Sequence, residues 1–431
     1  MKVFKVDKIS DIEKSKKGLK IFSSFSEEKE KKVRQIVEDV KKNGDKAVLK
    51  YTKTFDWSGI NSGNLKVKEK EIKQAQKKVN KDVMNALEKL AARIRNFEKR
   101  SLPKSWTEEK NSIVLGQKVI GLDSVGIYVP GGEASYPSSF VMCAVPAKMA
   151  GVKRIIVVSP PDKNGRINPY ILALAKKMGI KDIYKVGGAQ AIAALAYGTK
   201  IMPRADKIVG PGNAYVAMAK KLIFGQADID FIAGPSEIAV LCDSQSRADL
   251  VASDILSQAE HAADALCLCV TDSEKFCKKL SIEIEEQKKK LSRKKILDLS
   301  LENCACVICK NMGLAIEFVN EIATEHLEIA TKEPFKELKK IRNAAAIFLA
   351  EYSPVAIGDY MAGPSHVLPT AGSARFFSPL SVRDFSKTSN IIFCKKDGLK
   401  KIAAAAAKIA RVEGFDGHAN SIELRFKGRK K

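Results

Sequence analysis

Between residues 125 and 350, short runs of β-branched and other apolar residues alternate with helical stretches at a period of about 30 residues. The spacing predicts strands at 125–129, 154–158, 182–186 and 206–209, and again at 238–241, 265–270, 305–308 and 345–349, with a last one at 391–394. Helices are predicted between them, at 138–151, 169–178, 189–197, 214–222 and 248–263. A parallel strand pair needs a long crossover, so this alternation demands α/β units built on parallel sheets. Ahead of it, residues 24–100 read as helical, with Val33, Ile36, Val37, Val40, Val48 and Leu49 near 3.6 spacing. Behind it stands a short appendix with an alanine-rich helix at 399–411. The pattern is two α/β blocks with a helical region before them, and it shows no short-period repeat.

Charge raises a different possibility. The 431 residues hold 75 Lys+Arg against 50 Asp+Glu, a formal net charge of +25. Nucleic-acid binding would use such cations on phosphates, yet only 15 of them are Arg, the residue suited to bidentate contacts. The lysines are also dispersed among glutamates, as in 273–295, which reads as a solvated helix face; only the tail 427–431 is compactly basic. No nucleic-acid partner is therefore expected. No apolar run approaches the roughly 18 residues of a membrane span, and the basic N-terminus lacks the apolar core of a cleaved leader. Nine cysteines include Cys267 and Cys269, then Cys304, Cys306 and Cys309, inside predicted strands, where they read as small core residues of a cytoplasmic protein.

Only four histidines occur, His261, His326, His366 and His418, each beside a carboxylate, an amide or a glycine turn. Gln258 and His261 are three apart on a predicted helix and share a face. With Asp359 and His418 arriving from loops, they would form a nitrogen/oxygen shell suited to zinc or another borderline divalent ion. The alternative is that Gln258 caps a polar helix face and Asp359 ends a strand. Glu325 and His326 are adjacent; on a helix they diverge by about 100°, so both could line one cleft as an acid–base pair. Gly187-Gly188-Ala-Gln190 and Gly210-Pro-Gly-Asn213 each follow a strand and open a helix, offering free N–H groups to an anion or cofactor. Neither is a dinucleotide or P-loop fingerprint, and ordinary strand–helix turns explain them equally well.

Several longer segments resemble the histidinol dehydrogenase family: Gly126-Ile-Tyr-Val-Pro-Gly-Gly132, Gly210-Pro-Gly-Asn-Ala-Tyr215, Ala233-Gly-Pro-Ser-Glu237, Gln258-Ala-Glu-His261, Ala323-Thr-Glu-His-Leu-Glu328, Gly358-Asp359, His366-Val-Leu-Pro-Thr370 and 413–422. They run in the family's order from about residue 24 to 425. The resemblance implies an oxidoreductase of histidine biosynthesis that converts L-histidinol to L-histidine through the bound aldehyde, reducing two NAD. It implies one zinc per subunit on Gln258, His261, Asp359 and His418, with His326 as general base and Glu325 activating water. Ser236, Glu413, His326 and the zinc ligands would hold substrate; Tyr128, Gln190 and Asn213 would contact NAD.

The implied fold is α/β, with two Rossmann-like domains on parallel-type sheets and small helical N- and C-terminal extensions used in dimerisation. The expected divisions are an extension at 1–23, a zinc and substrate domain from 24–127 and 238–380, an NAD-side domain at 128–237, and a dimerisation segment at 381–431. The implied homodimer shares its active sites, with Glu413 and His418 acting on the neighbouring subunit. Ala262 and Ala371 depart mildly from the family pattern, and His366 receives no role. Two other readings remain open from the residues alone: a zinc hydrolase with Glu325 as base, and a basic nucleic-acid binder.

Overall fold

The structure, a computed structural model, describes residues 1–19, 26–131 and 136–427. The last four residues of the expected N-terminal extension, the centre of the turn-rich loop after Val129, and most of the basic tail lie outside the described residues.

Two parallel sheets organise the chain, each built on the same plan. In the five-stranded sheet the order is Asp182–Lys185, Arg154–Ser159, Ser124–Tyr128, Lys207–Val209, Asp228–Ile229, all parallel. The first strand in the chain is thus central, with the second and third on one side and the fourth and fifth on the other. The six-stranded sheet repeats this with Cys304–Cys309, Leu266–Thr271, Glu237–Cys242, His326–Ile329 and Ala346–Leu349, and adds Lys2–Val6 at the Cys304–Cys309 edge. In both, the order of strand addition reverses beside the central strand, which opens a crevice at the strands' carboxyl ends.

Strand alternation explains why both faces are covered. Val125, Ile127, Ile155 and Val157 face one way and pack with the Pro137–Met149 and Pro169–Lys177 helices; Ile156, Val158 and Ile208 face the other. Each such apolar side chain contributes about 1.5–3 kcal/mol on burial. In the second sheet, Cys242, Cys267, Cys269, Cys304 and Cys306 share one face beneath the Ala248–Ala259 and Glu274–Lys288 helices, buried as free thiols. The thiols are core residues, as their strand positions predict.

Three expectations need correction. The predicted helical region before residue 100 does not belong with the six-stranded sheet. The Glu27–Asn43 and Asp45–Phe55 helices bury Val33, Ile36, Val37, Val40 and Val48 on one face of the five-stranded sheet, and Lys81–Glu98 buries Met84, Leu90 and Ile94 on the other. Apolar stripes of these helices match that sheet's faces, so the helices within 27–98, with the Ser124–Tyr128 strand, pack with 128–237. The N-terminal segment is not only helical: Lys2–Val6 alternates by twos and extends the six-stranded sheet. Finally, Ser386–Cys394 is not an α/β strand. It pairs antiparallel with Ile113–Gly121, itself antiparallel to Trp106–Lys110, in a separate three-stranded sheet. No helix is long and apolar enough to cross a membrane among the described residues.

Candidate active site

Glu237 opens the central strand of the six-stranded sheet and is 4% exposed. Its backbone is gripped by the first residue of the neighbouring strand and the residue just before it. Its N–H donates to Glu325 Oε2 at 2.9 Å, and its carbonyl oxygen lies 3.0 Å from His326 Nδ1. A helix is not what places Glu325 and His326 together. The Met312–Ile322 helix stops at Ala323, in the left-handed conformation with φ 53°, and His326–Ile329 is a strand. Both side chains are nonetheless buried at the same strand end.

Burial sets their protonation. With a neighbouring Glu237 and Asp359, burial pushes the Glu325 carboxyl well above the usual range. The same desolvation, helped by the His261 and His366 rings, holds His326 down at about 4. Glu237 is pushed up to about 7; its Oε1 accepts from the Ala371 N–H at 3.1 Å and its Oε2 has no partner among the described residues. Ala371 turns that N–H inward at φ 54°, a conformation usually left to glycine.

Gln258 lies in the last turn of the Ala248–Ala259 helix and His261 just beyond it, where its N–H donates to the Gln258 carbonyl at 3.2 Å. The helix thus ends before His261, and a turn brings the two side chains to one end. The Val355–Tyr360 helix packs alongside and brings Asp359 Oδ2 within 4.0 Å of His261 Nε2. Two ligands about 2.1 Å from a tetrahedral ion would stand roughly 3.4 Å apart, so this spacing suits a shared cation. Burial raises Asp359 to about 6 and lowers His261, which leaves a neutral imidazole. Gln258 is 2% exposed, so its amide stands inside the same pocket of chain. Nitrogen and oxygen donors of this kind fit zinc.

His366, which sequence reasoning left without a role, is the brace of this cluster. Its Nδ1 lies 2.8 Å from the Asp359 carbonyl oxygen, and its Nε2 lies 2.9 Å from Ser139 Oγ at the start of the Pro137–Met149 helix. It therefore ties a helix of the first sheet to Asp359. The neighbouring 365–371 segment also crosses Gly234, whose N–H donates to Thr370 Oγ1, close to Ser236.

A second group gathers at the crevice of the five-stranded sheet. A cavity of ≈ 750 Å³ is lined by Tyr128, Gln190 and Asn213 together with Asp56, Gly188 and Tyr215. Tyr128 ends the central strand, Asn213 caps the helix after the fourth strand, and the two flank the point where the strand order reverses. Gly188 N–H donates to the Tyr128 hydroxyl at 3.2 Å. Asp56, which no pattern in the sequence singled out, accepts from Gly187 N at 2.9 Å and Gln190 Nε2 at 3.2 Å; burial raises it to about 6. Glu237 could have been found, because a carboxylate opening an otherwise apolar strand is unusual.

Two expected residues are not brought to either group within one chain. Glu413 follows the Lys396–Val412 helix and His418 lies in Asp416–Glu423; both are exposed. The His418 ring packs on Phe415, 5.1 Å between centroids, and neither residue bonds to the cluster. No group of three or more His, Cys, Asp or Glu poised for a metal occurs among the described residues.

Comparison with known proteins bears on the whole chain. A family model described as histidinol dehydrogenase matches residues 22–426. The histidinol dehydrogenase of Caldanaerobacter subterraneus is 50% identical over 395 residues, covering 91% of this chain and 92% of that protein. That of Bacillus subtilis is 49% identical over 395 residues, with the same coverage. The crystal structure of histidinol dehydrogenase from Elizabethkingia anophelis superposes with a TM-score of 0.93 at 33% identity, covering 99% of this chain and 98% of that one. With its motifs seated at the amino ends of the six-stranded sheet's strands and at the carboxyl-end crevice of the five-stranded sheet, the chain belongs to the histidinol dehydrogenase family.

Proposed function

We propose that this enzyme oxidises L-histidinol to L-histidine in two hydride transfers, each reducing one NAD, as a cytoplasmic step of histidine biosynthesis. The observation that carries the reading is the pairing of Glu325 and a neutral His326 on the backbone of one residue, Glu237, at the end of a strand. Two proton acceptors of different pKa suit two successive oxidations. His326, with Nδ1 engaged by a carbonyl, presents Nε2 to take the alcohol proton as hydride leaves the carbinol carbon. Glu325, once ionised, takes a proton from the water that adds to the aldehyde before the second hydride departs. Water supplies the second carboxylate oxygen, and each hydride ends on a nicotinamide.

Gln258, His261 and Asp359 would hold zinc, with His418 from a second copy of the chain as fourth ligand. Bound there, zinc would act as a template and Lewis acid for the substrate's nitrogen and oxygen atoms. Ser236, Glu413 and His326 would complete the substrate contacts. Tyr128, Gln190 and Asn213 share one cavity, which supports NAD binding there. The C-terminal helices expose Ile409, Val412 and Phe415, an apolar face suited to a homodimer in which Glu413 and His418 serve the partner's site. Eight of nine thiols buried and unpaired suit a reducing cytosol.

The test is NADH formation from L-histidinol by the purified protein, expected at two per substrate, lost on chelation and restored by zinc. No NADH, or full activity in metal-free protein, would overturn the reading.

A further inference from the structure

The Ala214–Ile223 helix carries a lysine that points back to the loop preceding its own first turn. Lys220 is 2% exposed and Asp230 is 0% exposed in their side chains, an ion pair sealed inside the five-stranded unit. Lys220 Nζ donates to Asp230 Oδ1 at 2.7 Å and to the Gly210 carbonyl at 2.5 Å. Asp230 Oδ2 accepts from the Gly210 N–H at 2.8 Å, and its Oδ1 accepts from Phe231 N at 2.7 Å. Both backbone groups of Gly210 are therefore held by one buried pair. Gly210 adopts φ 112° and lies so close under Tyr128 that a Cβ would run into the Tyr128 carbonyl oxygen. Three residues on, Asn213 caps the same helix through Tyr215 N and Val216 N.

We propose that Lys220, with Asp230, is a positioning residue for the cofactor cavity: it clamps Gly210 so that Tyr128 and Asn213 stand at a fixed separation across the crevice. The inference rests on the reading of that cavity as the NAD site. Net stability is a poor reason for such a pair, because desolvation offsets its Coulomb attraction and apolar side chains would serve as well. What the pair does set is geometry. Its four hydrogen bonds join the end of the fourth strand, the helix that follows and the residue after the fifth strand. Small displacements of groups that orient a reactant cost large factors in binding and rate.

The experiment contrasts two charge-neutral double variants that differ in one donor. Lys220→Met/Asp230→Asn leaves no buried charge and nothing at position 220 to donate to the Gly210 carbonyl, whereas Lys220→Gln/Asp230→Asn retains there an amide that can bond that carbonyl. NAD affinity is measured directly by isothermal titration on zinc-loaded protein, alongside melting temperature, zinc content and the separate kcat and KM values. The Met variant should weaken NAD binding about 10-fold or more and raise KM for NAD, with zinc content and KM for histidinol held, and the Gln variant should recover part of the loss. NAD affinity unchanged in both folded variants would overturn the proposal. So would a parallel loss of NAD, zinc and histidinol binding in both, which is the mark of a merely structural pair. If instead the unmodified enzyme reduces no NAD with histidinol, the reading of the site has failed and the clamp has lost its ligand; the unmodified control separates the two outcomes.

Discussion

His326 Nδ1 faces the carbonyl oxygen of Glu237 at 3.0 Å, and this contact decides which ring nitrogen is free to act. A carbonyl only accepts, so Nδ1 bears the proton and Nε2 keeps its lone pair. Burial holds the ring at about 4, so Nε2 is unprotonated throughout the neutral range. The first hydride transfer, followed as NADH in a single turnover, should then keep its rate from pH 8 to about pH 5 and fall only as pH approaches 4. His326→Gln should slow this step about 100-fold or more with zinc content intact. Loss of zinc in that variant would make His326 a ligand instead.

Glu325 is displaced the other way, because burial beside Glu237 and Asp359 favours its neutral form. A carboxyl raised above its ordinary value is protonated at low pH and becomes a base only as pH rises through the raised value. The second NADH should therefore fall off on the acid side at a higher pH than the first. In Glu325→Gln the first NADH should form at close to the normal rate while the second slows by about 100-fold or more. Equal slowing of both, measured with histidinol and with the aldehyde supplied directly, would remove Glu325 from the second step.

How far these positions are legible in the sequence depends on what holds each one. Eight of the eleven strands in the two parallel sheets are, since their apolar runs and turn residues are local; Lys2–Val6, Asp228–Ile229 and His326–Ile329 are not. The Ile113–Gly121 strand and its exposed partner Trp106–Lys110 are not: the latter buries nothing and shows no period, and its turn at Asn111-Ser112 relies on positive φ at both residues. Glu325 and His326 were expected on a helix because nothing in Ala-Thr-Glu-His marks the stop; the left-handed Ala323 that ends it is imposed by packing. Asp56 and His366 matter through contacts to residues 131 and 227 positions away, which no pattern of spacing reveals.

The bond from His366 to the Asp359 carbonyl predicts an effect on metal rather than on chemistry. With Ser139 fixing the other ring nitrogen, His366 orients the stretch that presents Asp359 toward His261. Partners of this kind typically change metal affinity about 10- to 100-fold. His366→Gln should weaken zinc binding by that factor in competition with a chromophoric chelator, and activity should return when zinc is raised. A variant with normal zinc affinity and low activity would place His366 in the chemical steps.

Glu413 and His418 stand exposed at the end of a segment that packs mainly on itself, beside Val412 at 89% and Ile409 at 61% exposure. These exposed apolar side chains beside unused polar ones suit the proposed homodimer. If His418 completes a site whose Gln258, His261 and Asp359 belong to the other subunit, each site draws on two chains. His261→Asn and His418→Asn proteins should then be inactive alone. A hybrid dimer places both defects in one site and leaves the other whole. Random exchange makes half the dimers hybrids, so an equal mixture should recover about a quarter of the wild-type activity, with two-fold symmetry setting that share. Exchange is verified by mass-tagged subunits. Hybrids that form and stay inactive would mean that His418 serves its own chain, and the C-terminal segment would have to fold back onto the His261 cluster to do so.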